Sequence, residues 1–387
     1  RIVWRFPKNR ATKEFTVTTE RSVIEEFMER MIIPLLPSKY LVMPRTVHMR
    51  VEDVHELAKI PNLEMNSKVD ELSELRSISS SQSRLPLSSI PEGVETIACL
   101  ELLDVTCIPG SIALSNHSTI TIEIKPKQGY FQHHDGIDMP YCNNCILQVE
   151  KSTGKKKSFD AMYDFCPLAL FSTDVKEQKE AIESLIRDPH RNLRIFMDGK
   201  IVHSDKKKLE RKDLEKALYP QGECSIGDLV DGILAALNGK SSDGGDEDSF
   251  LQKLLKGQKM DEVGIVKASK LFDSLSKEEQ AEVERQGLNG GLSFLDDKSV
   301  EAQLVKFFVA ATLKDVSIML SLQFIENGTE GERDVIRLPS KKTFLYSLKV
   351  VDLDPKTKKN LTSYGRLIRG AEILKTIPSM RKPCVKQ

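Results

Sequence analysis

The sequence carries no net charge, few aromatic residues and no long apolar run. Its 57 lysines and arginines balance 57 aspartates and glutamates, which argues against a dedicated nucleic-acid binder. Aromatic residues make up only 6% of the chain, so an RNA-binding module that stacks bases is disfavoured. No apolar segment reaches the roughly 20 residues needed to cross a bilayer, and the start does not resemble a signal peptide. We therefore expect a nuclear or cytoplasmic protein without a membrane span.

Cysteine is also scarce. Seven cysteines in 387 residues, an odd number, argue for reduced thiols or metal ligands rather than a disulfide framework. Cys142 and Cys145 form a CxxC pair, and with Cys166 and His134 they could hold a structural Zn²⁺ in a closed tetrahedral site. Reduced structural thiols beside a surface histidine are the alternative, and both stay open. We expect the remaining cysteines, including Cys384, simply to be buried.

The rest of the composition is that of a folded globular chain. Hydrophobic residues make up 40% and charged residues 29%, and the length suffices for two lobes. Two stretches are exceptions. Residues 77–89 contain seven serines and predict an exposed loop. Residues 238–248 are rich in glycine, serine and acidic residues and predict a disordered linker.

Strands and helices follow one another without the regular rhythm of a parallel sheet. Alternating apolar residues predict strands at 119–124, 192–196, 317–324 and 344–351, and helical spacing predicts helices at 174–187 and 300–312. This pattern favours an α+β fold over a doubly wound sheet.

Two aspartates bracket a predicted hairpin. Asp315 precedes the strand 317–324, and Asp352 follows the strand 344–351. The turn-prone Asn327-Gly328 lies between them and favours an antiparallel pair. The two carboxylates would then lie at one edge of the sheet, as a Mg²⁺ ion that bridges nucleotide phosphates requires. Ordinary aspartates at strand ends are the alternative.

Positive charge is concentrated near these aspartates. Lys125 and Lys127 lie two apart in a run that Pro126 should keep extended, so we expect both to project to one side and to bind phosphates. Residues 349–387 contain ten basic and three acidic residues, a local balance of +7. We interpret this as a pocket for a small molecule with several phosphates. Surface lysines and a solvated basic tail are the alternative.

Five segments resemble, in order, the signature blocks of the inositol-pentakisphosphate 2-kinases. They are residues 123–129 (EIKPKQG), 166–172 (CPLALFS), 192–196 (NLRIF), 310–319 (AATLKDVSIM) and 351–356 (VDLDPK). The resemblance implies a two-lobed, protein-kinase-like fold that transfers the γ-phosphate of ATP, with Mg²⁺, to the 2-hydroxyl of inositol 1,3,4,5,6-pentakisphosphate. It also implies a nucleotide-binding N-lobe over residues 1–118 and a C-lobe over 119–387. We expect a monomer.

The resemblance assigns roles position by position. Asp315 and Lys125 match catalytic residues, and Asp352 and Asp315 match magnesium ligands. Matches near the nucleotide are Arg5, His117, Glu123 and Asp352. Matches at the inositol phosphate are Lys125, Lys127, Lys151, Arg191, Asn192, Lys356 and Tyr364. Arg191 stands where the family has asparagine.

The glycine-rich phosphate loop of the family precedes the strand that holds Arg5, and this sequence begins at Arg1. We therefore expect either a fragment or a chain with impaired ATP binding. Impaired ATP binding would fit a rival function, an inositol-polyphosphate-binding or scaffold protein. The retained Asp315 and Asp352 favour the enzyme, because a pure polyanion binder gains nothing from carboxylates beside its ligand.

Overall fold

The computed structural model describes residues 2–5, 22–50, 96–110, 113–114, 117–153, 162–239, 249–325 and 334–384. The chain divides into two compact units. The first comprises Arg1–Pro34 and Val42–Asp104, and the second comprises Leu35–Leu41 and Val105–Gln387. The predicted serine-rich loop 77–89, residues 240–248 of the predicted linker and the predicted turn Asn327-Gly328 lie outside the described residues.

The first unit contains a three-stranded antiparallel sheet and a helix. Its elements are β1 (Ile2–Arg5), α1 (Val23–Phe27, followed by a π-helical turn Met28–Ile32), β2 (Arg45–Arg50) and β3 (Thr96–Leu103). The strand order is β1-β3-β2. Ser22 begins α1, because its hydroxyl accepts the Glu25 N–H while the Glu25 carboxylate accepts the Ser22 N–H. Glu25 also accepts the N–H of Thr46 at 2.9 Å, which joins α1 to β2.

The second unit is built on a six-stranded sheet with the order β6-β5-β4-β7-β9-β8. Its strands are β4 (Ile120–Ile124), β5 (Leu193–Met197), β6 (Lys200–His203), β7 (Ser317–Ile325), β8 (Val335–Arg337) and β9 (Thr343–Val351). Every pair of neighbouring strands in this sheet is antiparallel. All of β4 and all but one residue of β7 are buried, so these two strands form the centre of the core.

Eleven α-helices occur in the described part of the chain, ten of them in the second unit. These ten are α2 (Asn143–Thr153), α3 (Pro167–Leu170), α4 (Val175–Arg187), α5 (Arg211–Leu218), α6 (Ile226–Leu237), α7 (Phe250–Gln258), α8 (Gly264–Ser274), α9 (Lys277–Asn289), α10 (Val300–Leu313) and α11 (Tyr364–Thr376). α6 packs on β8 and β9, and α7, α8 and α9 surround α10. α10 is apolar over most of its surface because neighbours cover it on several sides. Antiparallel sheets with separate helices confirm the α+β class.

The register of the sheet confirms the predicted hairpin. Ser317 pairs with Val351 and Ile325 pairs with Thr343, so β7 and β9 run antiparallel along their whole length. Ile124 at the end of β4 pairs with both Ile318 and Leu193. The ends of β4 and β9 and the starts of β5 and β7 therefore meet at one edge, which we call the carboxylate edge.

None of the helices in the described ranges is both long and apolar enough to span a membrane.

Candidate active site

Asp352 leaves the end of β9 in a strained backbone conformation. Its φ is +61°, in the left-handed region that aspartate tolerates better than most residues. Its Oδ2 accepts hydrogen bonds from Lys125 Nζ at 2.7 Å and from Ser317 Oγ at 2.8 Å. The side chain is 52% exposed. The carboxylate edge thus presents one half-exposed carboxylate, held by a lysine and a serine.

Asp315 lies just before β7, where its N–H donates to the carbonyl of Thr312 in the last turn of α10. Lys127 Nζ donates to its Oδ1 at 2.9 Å, and Lys356 Nζ donates to its Oδ2 at 2.8 Å. Partial burial alone would raise the pKa of Asp315, but these two ammonium groups outweigh it and hold the pKa well below its usual range. Asp315 is therefore an ionised carboxylate at neutral pH.

The prediction of an extended run through Lys127 is wrong. Lys127 has a φ of +61°, so the chain turns there. Proline restricts its own φ and the residue before it, and it leaves the residue after it free to turn. Because of this turn, Lys125 binds Asp352 and Lys127 binds Asp315. Each aspartate receives one lysine from the same short segment.

A buried polar chain connects Asp352 to β4 and β5. Ser317 Oγ lies 3.0 Å from Glu123 Oε1 as well as 2.8 Å from Asp352 Oδ2. Arg194 Nη1 donates to Glu123 Oε2 at 3.0 Å. Since a hydroxyl has one proton, the two carboxylates share the donor of Ser317. Neither Ser317 nor Arg194 stands out in the sequence, because both read only as strand residues.

Lys151 and Tyr364 lie on two helices that ion pairs of the buried Glu150 with two partly exposed arginines join. Glu150 on α2 accepts hydrogen bonds from Arg366 at 2.9 and 3.0 Å and from Arg369 at 3.0 Å, and both arginines lie on α11. Tyr364 is the exposed first residue of α11. Burial, then the charges of Lys127 and Arg366, lower the pKa of Lys151. Lys151 therefore shares an electrostatic environment with Lys127.

The predicted contacts at residues 191 and 192 lie at the start of β5. Asn192 is buried, and its carbonyl accepts the Lys125 N–H at 2.8 Å. Arg191 has a φ of +61° and lies 3.6 Å from Asp205 in an exposed ion pair. The sheet register therefore brings Asn192 to the carboxylate edge.

Two predicted nucleotide contacts lie on other elements. His117 precedes β4 at its opposite end, where its Nδ1 lies 3.0 Å from the carbonyl oxygen of Phe324. Four residues of β4 separate that end from Ile124, about 14 Å at about 3.4 Å per residue. Arg5 ends β1 in the first unit and pairs with Leu100 on β3. The predicted residues that the contacts and the sheet register bring to the carboxylate edge are Glu123, Lys125, Lys127, Asn192, Asp315, Asp352 and Lys356.

The model of the family described as inositol-pentakisphosphate 2-kinase matches residues 2–368. The chain belongs to the inositol-pentakisphosphate 2-kinase family. The match includes all five segments that resemble the signature blocks. The lysines and aspartates of the carboxylate edge lie in three of those segments.

Curated relatives of the inositol-pentakisphosphate 2-kinase family are similar to this chain at low identity. The chain is 26% identical to the inositol-pentakisphosphate 2-kinase of Danio rerio over 66% of this chain and 66% of the relative. It is 27% identical to that of Arabidopsis thaliana over 65% of this chain and 59% of the relative. The chain therefore spans about two thirds or less of the length of these relatives.

Four cysteines form a second group of candidate ligands. The sulfur atoms of Cys142, Cys145, Cys166 and Cys384 all lie within 4.8 Å of one another. The distance from Cys142 Sγ to Cys166 Sγ is 3.9 Å. Thiolates around a tetrahedral zinc would lie about 3.8 Å apart, given a Zn–S bond of about 2.3 Å. The four thiols are free, not disulfide-bonded, so this group fits a metal.

The predicted ligand set is corrected in two positions. Cys384 is not merely buried apart from the others: its Sγ accepts the Cys142 N–H at 3.1 Å, and its own N–H donates to the carbonyl of Pro140 at 2.8 Å. His134, the predicted histidine ligand, instead places Nε2 2.7 Å from Asn143 Oδ1. Cys384 is distant in sequence, and so its spacing could not reveal this role.

A buried ion pair lies directly beside Asp315. Lys314 Nζ donates to Asp261 Oδ2 at 2.5 Å, and the two side chains are 14% and 0% exposed. Asp261 Oδ1 accepts the N–H groups of Val263 and Gly264 at 3.1 and 2.7 Å. Burial lowers the pKa of Lys314 although Asp261 opposes the shift. The pair fixes the residue before the catalytic candidate to the loop that follows α7.

We expect Asp261→Asn to destabilise the protein by about 3–5 kcal/mol, because it leaves the Lys314 ammonium buried without its counter-charge. The measurement is the free energy of unfolding in urea. The matched control is Asp231→Asn, which breaks the exposed pair of Asp231 with Lys179, whose side chains are 43% and 44% exposed. That change should cost about 1 kcal/mol or less. Equal losses for the two variants would contradict this prediction.

Proposed function

We propose that this chain is an ATP- and Mg²⁺-dependent kinase that phosphorylates the 2-hydroxyl of inositol 1,3,4,5,6-pentakisphosphate to give inositol hexakisphosphate. The observation that carries the proposal is the pairing at the carboxylate edge. Two aspartates meet there, and each is bound by a lysine from the segment 123–129. Membership of the family supports the same reaction.

In this proposal Asp315 orients the 2-hydroxyl and accepts its proton. A carboxylate suits this role only if it is ionised when substrate binds, and the low pKa of Asp315 meets that condition. Lys127 and Lys356 hold its two oxygens. Each ammonium has three donors, so each can keep its bond to Asp315 and still donate to a substrate phosphate. The same two lysines would thereby hold the substrate phosphates in a defined position relative to Asp315, the proton acceptor.

The residues at the carboxylate edge also fit Mg²⁺. Hard carboxylate oxygens are the protein ligands this ion prefers, and it usually takes one or two of them alongside phosphates. Asp352 would hold the ion, with Asp315 as the second carboxylate. When bound, Mg²⁺ neutralises charge on the nucleotide phosphates. Ser317 and Lys125 fix the orientation of Asp352.

The cations nearby suit a ligand of extreme charge. Five phosphates carry roughly −8 to −10 at neutral pH. Lys125, Lys127, Lys151 and Lys356 would offset part of that charge, and Tyr364, Asn192 and Arg191 would supply further contacts. Because its pKa is already lowered by burial and neighbouring cations, Lys151 should bind a proton more tightly once a polyanion is present.

For the nucleotide we propose a binding lobe over residues 1–118 of a two-lobed kinase-like fold, with residues 119–387 as the second lobe. Arg5, His117 and Glu123 stay predicted nucleotide contacts. The support for these assignments is the resemblance of the signature segments and the family match.

We also propose that the four thiols bind a structural Zn²⁺. The sulfurs lie close enough for one ion, and an N–H donor to Cys384 Sγ is typical of bound thiolates. The site would join the C-terminal end of the described chain to α2, which carries Lys151.

The test of the kinase proposal is direct. The protein is incubated with Mg²⁺, ATP labelled on its γ-phosphate and inositol pentakisphosphate, and the products are separated by anion-exchange chromatography. We expect labelled hexakisphosphate, and no labelled product when hexakisphosphate replaces the pentakisphosphate, because its 2-position is already occupied. Tight binding of pentakisphosphate by calorimetry without any product would instead favour the binding-protein function.

A further inference from the structure

A buried amide joins the segment of Lys127 to the segment of Asp315. Gln258 is the last residue of α7 and has no exposed surface. Its Nε2 donates to the carbonyl of Lys127 at 2.9 Å and to that of Leu313 at 3.0 Å. Its Oε1 accepts the N–H of Gly129 at 2.8 Å. Both donors of the amide are therefore engaged, one on each segment.

These three backbone groups need a partner of this kind. Leu313 ends α10, and the last carbonyls of a helix receive no hydrogen bond from an N–H group of the same helix. Lys127 and Gly129 follow β4 after its last paired residue, Ile124, and the positive φ of Lys127 bends the chain away from the sheet. Gln258 supplies the hydrogen bonds that neither the helix nor the sheet can give.

The packing around Gln258 is close on both sides. A Cβ atom at Gly257 would lie 2.5 Å from Leu313 Cδ1, and one at Gly129 would lie 2.4 Å from the ring of Phe171. The contact at Gly257 is with the terminal methyl of a flexible side chain, whereas the rigid ring of Phe171 leaves no room for a side chain at Gly129. The Gln258 amide is held between the two segments by its three hydrogen bonds.

We infer that Gln258 is a positioning residue for the proposed phosphoryl transfer, which holds the Lys127 segment and the Asp315 segment in one geometry. The inference rests on the proposed function. Lys127 Nζ and Asp315 Oδ1 lie 2.9 Å apart, and Gln258 binds the backbone of Lys127 itself and of Leu313, two residues before Asp315. Because Gln258 has no exposed surface, it would act through Lys127 and Asp315.

Gln258→Met tests the inference, because methionine has a similar length and shape but makes none of the three hydrogen bonds. We expect kcat for pentakisphosphate to fall about 10- to 100-fold, as small misplacements of reacting groups do. The dissociation constant for pentakisphosphate, measured by calorimetry without ATP, should rise about tenfold. The KM for ATP should change less than about twofold. A general loss of folded protein would not weaken pentakisphosphate binding while leaving the KM for ATP unchanged.

Gln178→Met is the matched control. Gln178 is a buried glutamine on α4 whose amide exchanges two hydrogen bonds with Asn238, at 2.8 and 3.3 Å. This variant also loses buried hydrogen bonds, but it should keep kcat and the dissociation constant near those of the unmodified protein. Equal effects of the two variants on kcat and on binding would overturn the inference.

A double variant tests whether Gln258 acts through Lys127. If it does, Gln258→Met combined with Lys127→Met should lose clearly less activity than the product of the two single losses. Losses that multiply would show independent effects. Gln258→Glu keeps the shape but sets a buried carboxylate oxygen against the carbonyls of Lys127 and Leu313, so it should lose at least as much as Gln258→Met. Gln258→Leu, which also makes none of the three hydrogen bonds, replaces Gln258→Met if methionine prevents folding.

The two proposals fail in different ways. If the unmodified protein makes no hexakisphosphate, the proposed function fails, and the calorimetric comparison of Gln258→Met with Gln178→Met still decides whether Gln258 positions Lys127. If the unmodified protein is active and Gln258→Met matches it in kcat and binding, only the inference about Gln258 fails.

Discussion

Asp315→Asn should lower kcat for pentakisphosphate phosphorylation by about 10²- to 10⁴-fold, the range typical of a lost general base. Asparagine has the same shape but cannot accept the proton of the 2-hydroxyl. Lys127 and Lys356 remain, and they are no longer bound to a carboxylate. We therefore expect the dissociation constant for pentakisphosphate to stay the same or to fall. The measurements are steady-state kinetics for kcat and calorimetry for binding.

Asp231→Asn is the control for this prediction, because it makes the same chemical change at an exposed ion pair on α6. It should leave kcat within about twofold of the unmodified protein. If Asp315→Asn retains kcat within tenfold, Asp315 is not the proton acceptor. If Asp315→Asn also weakens pentakisphosphate binding, the Asp315 carboxylate helps binding by ordering Lys127 and Lys356, and this effect exceeds its repulsion of the substrate phosphates.

The hairpin that positions Asp315 and Asp352 follows from local pattern. The apolar and polar residues of segments 317–324 and 344–351 predict two strands of equal length, and an antiparallel pair then brings their ends together. The predicted strands differ from the observed ones by a single residue. The α+β class follows in the same way, since the strands are separated by irregular helical stretches rather than by repeated crossover units.

Contacts between distant segments could not be predicted in this way. Gln258 lies 131 residues from Lys127 and 55 from Leu313, and nothing in its neighbourhood distinguishes it from a surface glutamine. The turn at Lys127 is imposed by such tertiary contacts rather than by Pro126. Five helices within residues 211–289 are absent from the predicted elements, although Leu251, Leu254 and Leu255 recur at helical spacing on α7.

The cysteine group also depends on a contact between distant segments that local spacing could not predict. Cys142 and Cys145 are recognisable by their spacing, whereas Cys384 is 242 residues from Cys142. The chain returns to α2 because α11 packs along it, and Arg381 then donates to the carbonyls of Asp164 and Phe165 at 3.0 and 3.1 Å. These contacts, rather than any motif, bring the fourth thiol to the other three.

The second large effect should follow from loss of that thiol. Protein purified without chelators should contain about one zinc per chain by elemental analysis, and Cys384→Ser should contain little. We expect its Tm to fall by about 6–12 °C, from a loss of about 3 kcal/mol at about 2–4 °C per kcal/mol. This loss is modest beside the about 10–16 kcal/mol of zinc binding in small zinc domains, because the remainder of the core stays intact.

Cys224→Ser provides the control, since Cys224 is also a free thiol but is buried outside the group. If the four thiols are merely reduced and bind no metal, neither protein will contain zinc and the two variants should lose similar stability. With zinc, Cys384→Ser should also weaken pentakisphosphate binding more than it lowers kcat. The reason is that a bound zinc would anchor the first turn of α2 at Cys145, and Lys151 lies on the same helix. Asp315 is held separately by α10 and Gln258.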